Sequence, residues 1–469
     1  MKKMLSFLVC SIAIVGRSSE NWPMFRGPNG SGVSDSARPP IKFGPEENVL
    51  WKVEVPSSPS SPCVWEERIF LTTFAEGKLE TRCCSTKDGK LVWTRPVPSD
   101  KLEEFMASEG SPAAATPATD GKRVISYFGS FGLVCYDLDG REIWRYPLPV
   151  VETDGGFGSG TSPLIAGNLV ILNRDQMRDS SLLAVNLETG KKVWETARPE
   201  ARTSYGTPII WANNGRQEIV TPGSLLLKGY DVASGEERWS VSRVPHAGCT
   251  TPVLGDGLLF YAGWAPGKGD SPFPSWKDFS AQNDKNGDGN VTPDELEPAM
   301  RAFHKAIDSD HDGRVTEKDF ELLNSYMAKG ENVLVAIKPG GRGEITESHV
   351  AWKANRGLPY VPSPVFYQGR VCLIKDGGMV SCFDAKNGTP FYTQERLGAI
   401  GSYYASLVAA DGRIYAASID GKVTVFKAGG EKPEVLHQAD FHERIAATPA
   451  LVGQRLYLRT QTKLYAFGN

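Results

Sequence analysis

The chain has 469 residues, 40% of them hydrophobic, so it can bury a sizeable core, and 52 Lys+Arg against 55 Asp+Glu leave a net charge of only −3. No global positive field exists to attract nucleic acid, which excludes that class of partner. The 49 glycines and 32 prolines suit many short strands joined by turns.

The N-terminus reads as an export signal. Lys2 and Lys3 precede an apolar run, Met4 to Val15, that is too short to cross a bilayer. Residues 1–18 are assigned to the signal and 19–45 to an N-terminal arm. Gly16, Ser18 and Ser19 offer small residues for cleavage, and Val9 before Cys10 departs from the pattern of a lipidated cysteine. No later stretch is long and apolar enough for a membrane helix. The mature protein is therefore expected to be an exported monomer, periplasmic or extracellular.

Two signatures alternate along the rest of the chain. The first is Ser/Thr-Pro, an apolar strand, a Gly turn and another apolar strand. Copies begin at Pro62, Pro117, Pro163, Pro208, Pro252, Pro364 and Pro449, and Ser406-Leu407 fills the remaining slot. The second is an apolar strand, a turn with Gly, and a strand ending in Trp. It reads CSTKDGKLVW to Trp93, CYDLDGREIW to Trp144, AVNLETGKKVW to Trp194 and GYDVASGEERW to Trp239, with a later copy at Trp352 and degraded ones at Tyr392 and near Leu436.

Four short strands per period of 42 to 55 residues form a β-propeller blade. Eight copies predict an all-β, eight-bladed β-propeller of four-stranded blades, spanning residues 46–264 and 332–469. NVLWKVEV, around Trp51, is an orphan copy of the last strand, and the final repeat supplies only three strands. The orphan is expected to complete that blade and close the ring. The recurring Trp residues are expected to pack between neighbouring sheets.

One interval is longer: Pro252 and Pro364 lie 112 residues apart. The excess falls in blade 5, between LLFYAGW ending at Trp264 and NVLVAI beginning at Asn332, and predicts a small α-helical insertion over residues 271–330. A connection at that point leaves the blade on the same ring face as the blade-to-blade loops, so the insertion should overhang the central face. Residues 271–330 hold 12 Asp/Glu against 7 Lys/Arg, a local balance of −5.

Two loops in this segment match D-x-[DN]-x-[DN]-G-x5-E, the EF-hand pattern that wraps six to eight oxygens around calcium. In the first, Asp284, Asn286, Asp288 and Glu295 supply side-chain oxygens, Asn290 a backbone carbonyl, and Gly289 the sharp turn. In the second, Asp308, Asp310, Asp312 and Asp319 supply side chains, Arg314 a carbonyl, and Gly313 the turn. Asp319 stands where the longer Glu is usual, which weakens selection of calcium over magnesium. Two calcium ions are expected, with a structural role. Val291 and Val315 are placed to pair as a short β bridge. Thr292-Pro293-Asp294-Glu295 reads as a helix start, as does Thr316, and Leu296, Met300, Phe303 and Ile307 form an apolar face at helical spacing.

Without Cys10, seven cysteines remain with no CxxC pair, neither a zinc site nor a disulfide framework. Cys372 and Cys382 lie on two arms of one predicted hairpin, where a disulfide is open to them. Cys83 and Cys84 are adjacent in a predicted strand and read as buried small residues, with a vicinal disulfide as the other option.

The blades resemble the pyrroloquinoline-quinone repeat, whose AxDxxTGxxxW pattern is best matched by AVNLETGKKVW. Asn21–Ser34, NWPMFRGPNGSGVS, resembles the leader of a group of secreted bacterial propellers in that superfamily. The resemblance implies the fold but not the chemistry, because the superfamily holds quinoprotein dehydrogenases as well as cofactor-free scaffolds of the BamB type. A dehydrogenase would need a Trp platform beneath the quinone, a carboxylate base, and calcium held at the ring centre. The sequence places none of these residue by residue.

The loops entering the central face bring Asp154, Arg202, Tyr205, His246, Tyr360, Tyr403, Tyr404 and Arg444 near the ring axis, with His246 the best acid/base candidate. The reading favours a binding or assembly scaffold with a protein or polysaccharide partner on this face, over a quinone-dependent dehydrogenase of alcohols or sugars or a polysaccharide-acting enzyme.

Overall fold

The computed structural model describes residues 21–202, 204–266, 274–309 and 312–468, so the signal-like segment 1–18 lies outside it. Eight antiparallel sheets follow one another around a ring. Blade 1 is Cys63–Trp65, Arg68–Ala75, Lys78–Ser85 and Leu91–Val97, from the axis outward. Blades 2 to 7 repeat this order. Blade 8 consists of Ala450–Val452, Arg455–Arg459 and Lys463–Phe467, and its outer strand is Val49–Glu54 from the other end of the chain. The orphan strand at Trp51 therefore closes the ring as the sequence predicts.

The Ser/Thr-Pro signature has a specific use at the ring centre. The residue before each inner strand offers its side-chain oxygen to the backbone N–H of the equivalent residue in the preceding blade. Ser61 N–H donates to Thr116 at 2.9 Å, Thr116 to Ser162 at 2.9 Å, Ser162 to Thr207 at 3.1 Å and Thr207 to Thr251 at 3.1 Å. Thr251 donates to Ser363 at 2.9 Å, Ser363 to Ser406 at 3.0 Å, Ser406 to Thr448 at 3.0 Å, and Thr448 back to Ser61 at 2.9 Å. The circle closes with one bond per blade. The proline that follows in seven of the eight positions lacks an N–H and holds the residue before it extended.

The Trp signature locks the outside of the ring. The indole N–H of Trp93 donates to the Leu138 carbonyl of blade 2, that of Trp144 to Leu187 of blade 3, and that of Trp194 to Val232 of blade 4, at 2.9–3.1 Å. Trp51 and Trp352 do the same toward Thr86 and Ala385. Each ring lies on the turn glycine of the next blade. Gly190, at φ 67°, would bring a Cβ within 2.6 Å of Trp144, so that turn needs both the left-handed backbone and the missing side chain. Trp239 is the exception: it donates to Glu218 of its own blade. Blade 5 has no tight outer turn to receive it. Its long outer connection instead lays Gly343–Glu344 in parallel beside the outer strand of blade 4.

The N-terminal arm crosses the ends of the inner strands opposite the blade-to-blade loops. Trp22 bridges to Val64 of blade 1, Pro23 accepts from Thr119 of blade 2, and Asn29 exchanges two hydrogen bonds with Ile210 of blade 4. Arg26 donates to the Pro364 carbonyl of blade 6, and Val33–Ser34 pairs in parallel with the inner strand of blade 7.

Between the second and third strands of blade 5 lie α1 (Trp276–Asn283), α2 (Pro298–Ile307) and α3 (Glu317–Met327). They share a small core of Phe279, Val291, Leu296, Ile307, Val315 and Phe320. Val291 and Val315 exchange two 2.9 Å backbone hydrogen bonds. Thr316 caps α3 with a reciprocal bond to Asp319. The helix expected from Pro293 does not form. Residues 293–296 make only a turn, and α2 begins at Pro298. A helix running through position 298 would need an N–H that proline lacks, and its ring holds Glu297 extended at ψ 146°. The apolar face changes accordingly. Leu296 and Ile307 turn into the module core, whereas Met300 is exposed.

Cys372 and Cys382 face each other across neighbouring strands of blade 6 and form a disulfide. Cys83 and Cys84 are free and buried, so the vicinal bond does not form. Strand alternation points their side chains to opposite faces of the sheet.

The central circle gives a direct test. Thr116→Val keeps the side-chain volume but leaves the Ser61 N–H without an acceptor. A loss of about 1–3 kcal/mol in urea unfolding is expected, with the circular dichroism of the folded state unchanged.

Candidate functional site

The ring axis holds a cavity of about 200 Å³. Six hydroxyls of the central circle, including Ser61, Thr116 and Ser363, line it. Phe25 of the N-terminal arm forms its floor, and Phe157, Tyr205, Tyr360 and Tyr404 form the walls. Burial holds the Tyr205 and Tyr360 phenols well above their usual value, so both are neutral hydroxyls. Cys249 also reaches the wall, with its thiol pushed up to about 12 by burial; it is an inert apolar group there. Glu109 is the one carboxylate on the wall among the described residues, and it accepts the Tyr404 hydroxyl. Arg444 lies over the Tyr404 ring, 5.6 Å from its centroid.

Three of the eight residues expected near the axis, Tyr205, Tyr360 and Tyr404, therefore share the cavity. Arg444 stands at its edge. Tyr403 does not belong: it is buried between blades 6 and 7, and its hydroxyl bonds to the Ala399 carbonyl. Strand-like alternation sends neighbouring side chains to opposite sides, so only Tyr404 of that pair can face the axis. Sequence reasoning missed Phe25, Phe157 and Glu109. The 55-residue spacing between Pro62 and Pro117, the longest of the ordinary repeats, was the available signal for the loop that carries Glu109.

Asp154, Arg202 and His246 lie at the rim, under the helical module. The Arg202 guanidinium donates to the Ala306 carbonyl at the end of α2 at 3.1 Å, stands 3.5 Å from Asp154, and lies over Tyr326 of α3. Phe303 of α2 packs edge-on against Phe157 of the cavity wall, and Lys305 pairs with Glu104. Burial raises the Asp154 carboxyl, and Arg202 opposes that shift. His246 is pushed down to about 4 by burial and by Arg202, and its Nε2 has no hydrogen-bond partner among the described residues.

In the module, the acidic side chains fold their loops by accepting backbone N–H groups. Asp284 accepts from Gly287, Asp288 and Gly289, while Glu295 reaches back to Lys285 and Asn286 and across to Thr292. Asp288 accepts from Asn290. In the second loop, Asp308 accepts from Asp312 and Gly313, Asp312 from Arg314, and Asp319 from Ser309 and Thr316. Asp310 lies outside the described residues. Gly289 and Gly313 make the left-handed turns, at φ 83° and 86°. As the side chains stand, no group of three or more His, Cys, Asp or Glu among the described residues is gathered to hold a metal.

The ring and its repeats define an eight-bladed β-propeller, and part of the chain is similar to the pyrroloquinoline-quinone-like, BamB-like family. Residues 45–149 and 77–253 match the family model described as outer membrane protein assembly factor BamB. No curated protein matches the chain by sequence. Among solved structures, BamB from Moraxella catarrhalis aligns with TM-score 0.57 and 12% identity over 90% of this chain and 99% of its own. A europium-containing methanol dehydrogenase aligns with TM-score 0.58 and 10% identity over 97% and 99%. The quinohemoprotein alcohol dehydrogenase from Comamonas testosteroni aligns with TM-score 0.57 and 12% identity over 96% and 80%. At these identities the likeness establishes the fold. The residues of the cavity do not fit a quinone site of the expected kind: among the described residues its wall carries no tryptophan, and its one carboxylate accepts the Tyr404 hydroxyl. Among the described residues, no helix is long and apolar enough to cross a membrane.

Near the cavity, Glu103 is buried and forms no ion pair among the described residues. Burial pushes its carboxyl up to about 7, although Ser159 donates to it from both N–H and hydroxyl. A carboxyl raised in the folded state contributes stability that is present at low pH and lost as pH rises through about 7. Unfolding free energy should fall by about 2–3 kcal/mol between pH 4.5 and 8. In Glu103→Gln that slope should vanish, and chemical denaturation at each pH reads it directly.

Proposed function

We propose that this chain is an exported binding scaffold whose central face receives a protein or polysaccharide partner, and whose helical insertion is an EF-hand pair that binds two structural calcium ions. The observation that carries the calcium reading is the way both loops are already wrapped. In each, the first carboxylate gathers the amides of the turn, the last carboxylate reaches back to the loop's start, and the two loops are tied through Val291 and Val315.

The ligands in this reading are Asp284, Asn286, Asp288, Glu295 and the Asn290 carbonyl in one loop. Asp308, Asp310, Asp312, Asp319 and the Arg314 carbonyl serve the other. A carboxylate that accepts one or two N–H groups retains further lone pairs for a hard cation. Calcium supplies charge neutralisation for a module with a local balance of −5. The second loop begins one residue after α2, whose end is held by Arg202 at the rim, so ordering that loop steadies the module against the cavity.

The scaffold reading is supported by the aromatic, hydroxyl-lined cavity that opens on the central face. The BamB likeness is consistent with it. Export is supported by the Cys372–Cys382 disulfide, which persists in oxidising compartments.

Calorimetric titration with calcium should show two ions bound with Kd on the order of 10⁻⁴ to 10⁻³ M. Asp284→Ala combined with Asp308→Ala should abolish both, and Asp319→Glu should tighten the second site by about tenfold through its longer arm. No heat at 10-fold above that range (~10 mM) would sink the calcium reading. Stoichiometric binding of pyrroloquinoline quinone in a parallel titration would overturn the scaffold reading in favour of a dehydrogenase.

A further inference from the structure

A second, smaller cavity of about 60 Å³ opens beside the axial one, between the loops of blades 7, 8 and 1. It shares Pro59, Glu109, Gly110 and Ala446 with the axial cavity, so the two are continuous along one wall. Two guanidinium groups line it, Arg444 and Arg459.

Neither is neutralised. Arg459 is fully buried, donates to the carbonyls of Ser60, Thr72 and Pro56 and to the Ser60 hydroxyl, and makes no ion pair among the described residues. Arg444 lies over the Tyr404 ring and makes no hydrogen bond or ion pair through its side chain among the described residues. The carboxylates nearby are already engaged. Glu109 takes the Tyr404 hydroxyl, and Glu443 takes Thr460, Thr462 and Lys463. Burying a guanidinium without a counter-charge is costly, and carbonyl acceptors offset only part of that cost. The same desolvation lowers the Arg459 pKa to about 9.

We propose that this cavity is an oxyanion subsite, which takes a single carboxylate or sulfate/phosphate group of a ligand whose apolar part lies against Tyr404 and Tyr360 in the axial cavity. Arg444 makes the direct contacts. Arg459 supplies fixed positive charge from behind, and its geometry is set by the blade 8 to blade 1 seam. A cavity of this size accepts a small oxyanion, and the two guanidiniums against Glu109 leave it a net positive charge. The inference names a ligand chemistry for the central face and does not depend on calcium.

The test is calorimetric titration of the full-length mature protein with sodium sulfate and, separately, with sodium acetate, at ionic strength held constant by sodium chloride. Saturable one-to-one binding of at least one ion is expected, and the tighter ion reports which headgroup the site prefers. Arg444→Gln should weaken it by about tenfold or more, and Arg444→Lys should recover part of the loss, since a bidentate contact becomes a point charge. Arg444 is only half-buried, so its variants should fold, and matching circular dichroism checks this. Absence of saturable binding of both ions, or equal binding by Arg444→Gln, overturns the proposal. Because no calcium is involved, that failure leaves the EF-hand reading untouched.

Discussion

The circle of eight side-chain-to-backbone hydrogen bonds at the axis is the constraint on which the rest of this molecule depends. An inner strand of a propeller faces no further strand, so its first N–H would be left without an acceptor at the narrowest part of the structure. Here each blade supplies one hydroxyl to the blade before it, and the bond from Thr448 to Ser61 makes the series close. Such a circle has no end that can fray. It also sets the radius of the axial cavity, since its hydroxyls are part of the cavity wall. Completing blade 8 with Val49–Glu54 serves the same end at the outer edge, where an unpaired strand would otherwise remain.

The outer locks are less uniform, and their one clear failure coincides with the most unusual part of the chain. Five tryptophans reach from one blade to a turn of the next, but Trp239 turns back on its own blade because blade 5 lacks that turn. The same blade carries the helical module between its middle strands. Gly343–Glu344 compensates by joining blade 4 as a fifth strand. The module in turn rests on the loops leading into blades 2 to 4 through Phe303, Ala306 and Lys305, so an acidic insertion is seated on the rim of the cavity by one aromatic contact, one hydrogen bond from Arg202 and one ion pair. The opposite end is closed by the arm. The central face is thus the accessible route to a cavity with a floor, aromatic walls and a charged edge.

How much of this was legible varies with the range of the interaction concerned. The blade count, the closing strand and the packing role of the tryptophans follow from repeats that each act on the next repeat, and they hold in the structure. The α2 start was misplaced because Thr292 and Pro293 have good cap chemistry, while the break is imposed five residues later by Pro298. Tyr403 was grouped with Tyr404 although one backbone cannot present both to the axis. Glu109 and Phe25 were missed because they reach the cavity from a long loop and from the arm, segments with no periodicity to reveal their aim. Cys372 and Cys382 were left open, since only the register of the two strands brings them opposite each other.

By itself the sequence determined that eight similar β units would form a closed ring, because a repeat whose apolar faces match its neighbours has no other economical way to bury them. It also determined which loops carry calcium-type oxygen patterns, since the spacing of those residues is local. Only the tertiary structure decided which side chains meet at the axis, that Arg444 and Arg459 line one cavity with no ion pair between either and a carboxylate among the described residues, and that the module leans on Phe157 and Arg202. Those pairings join residues up to hundreds of positions apart, and their geometry is set by the curvature of the ring, a property that no single repeat contains.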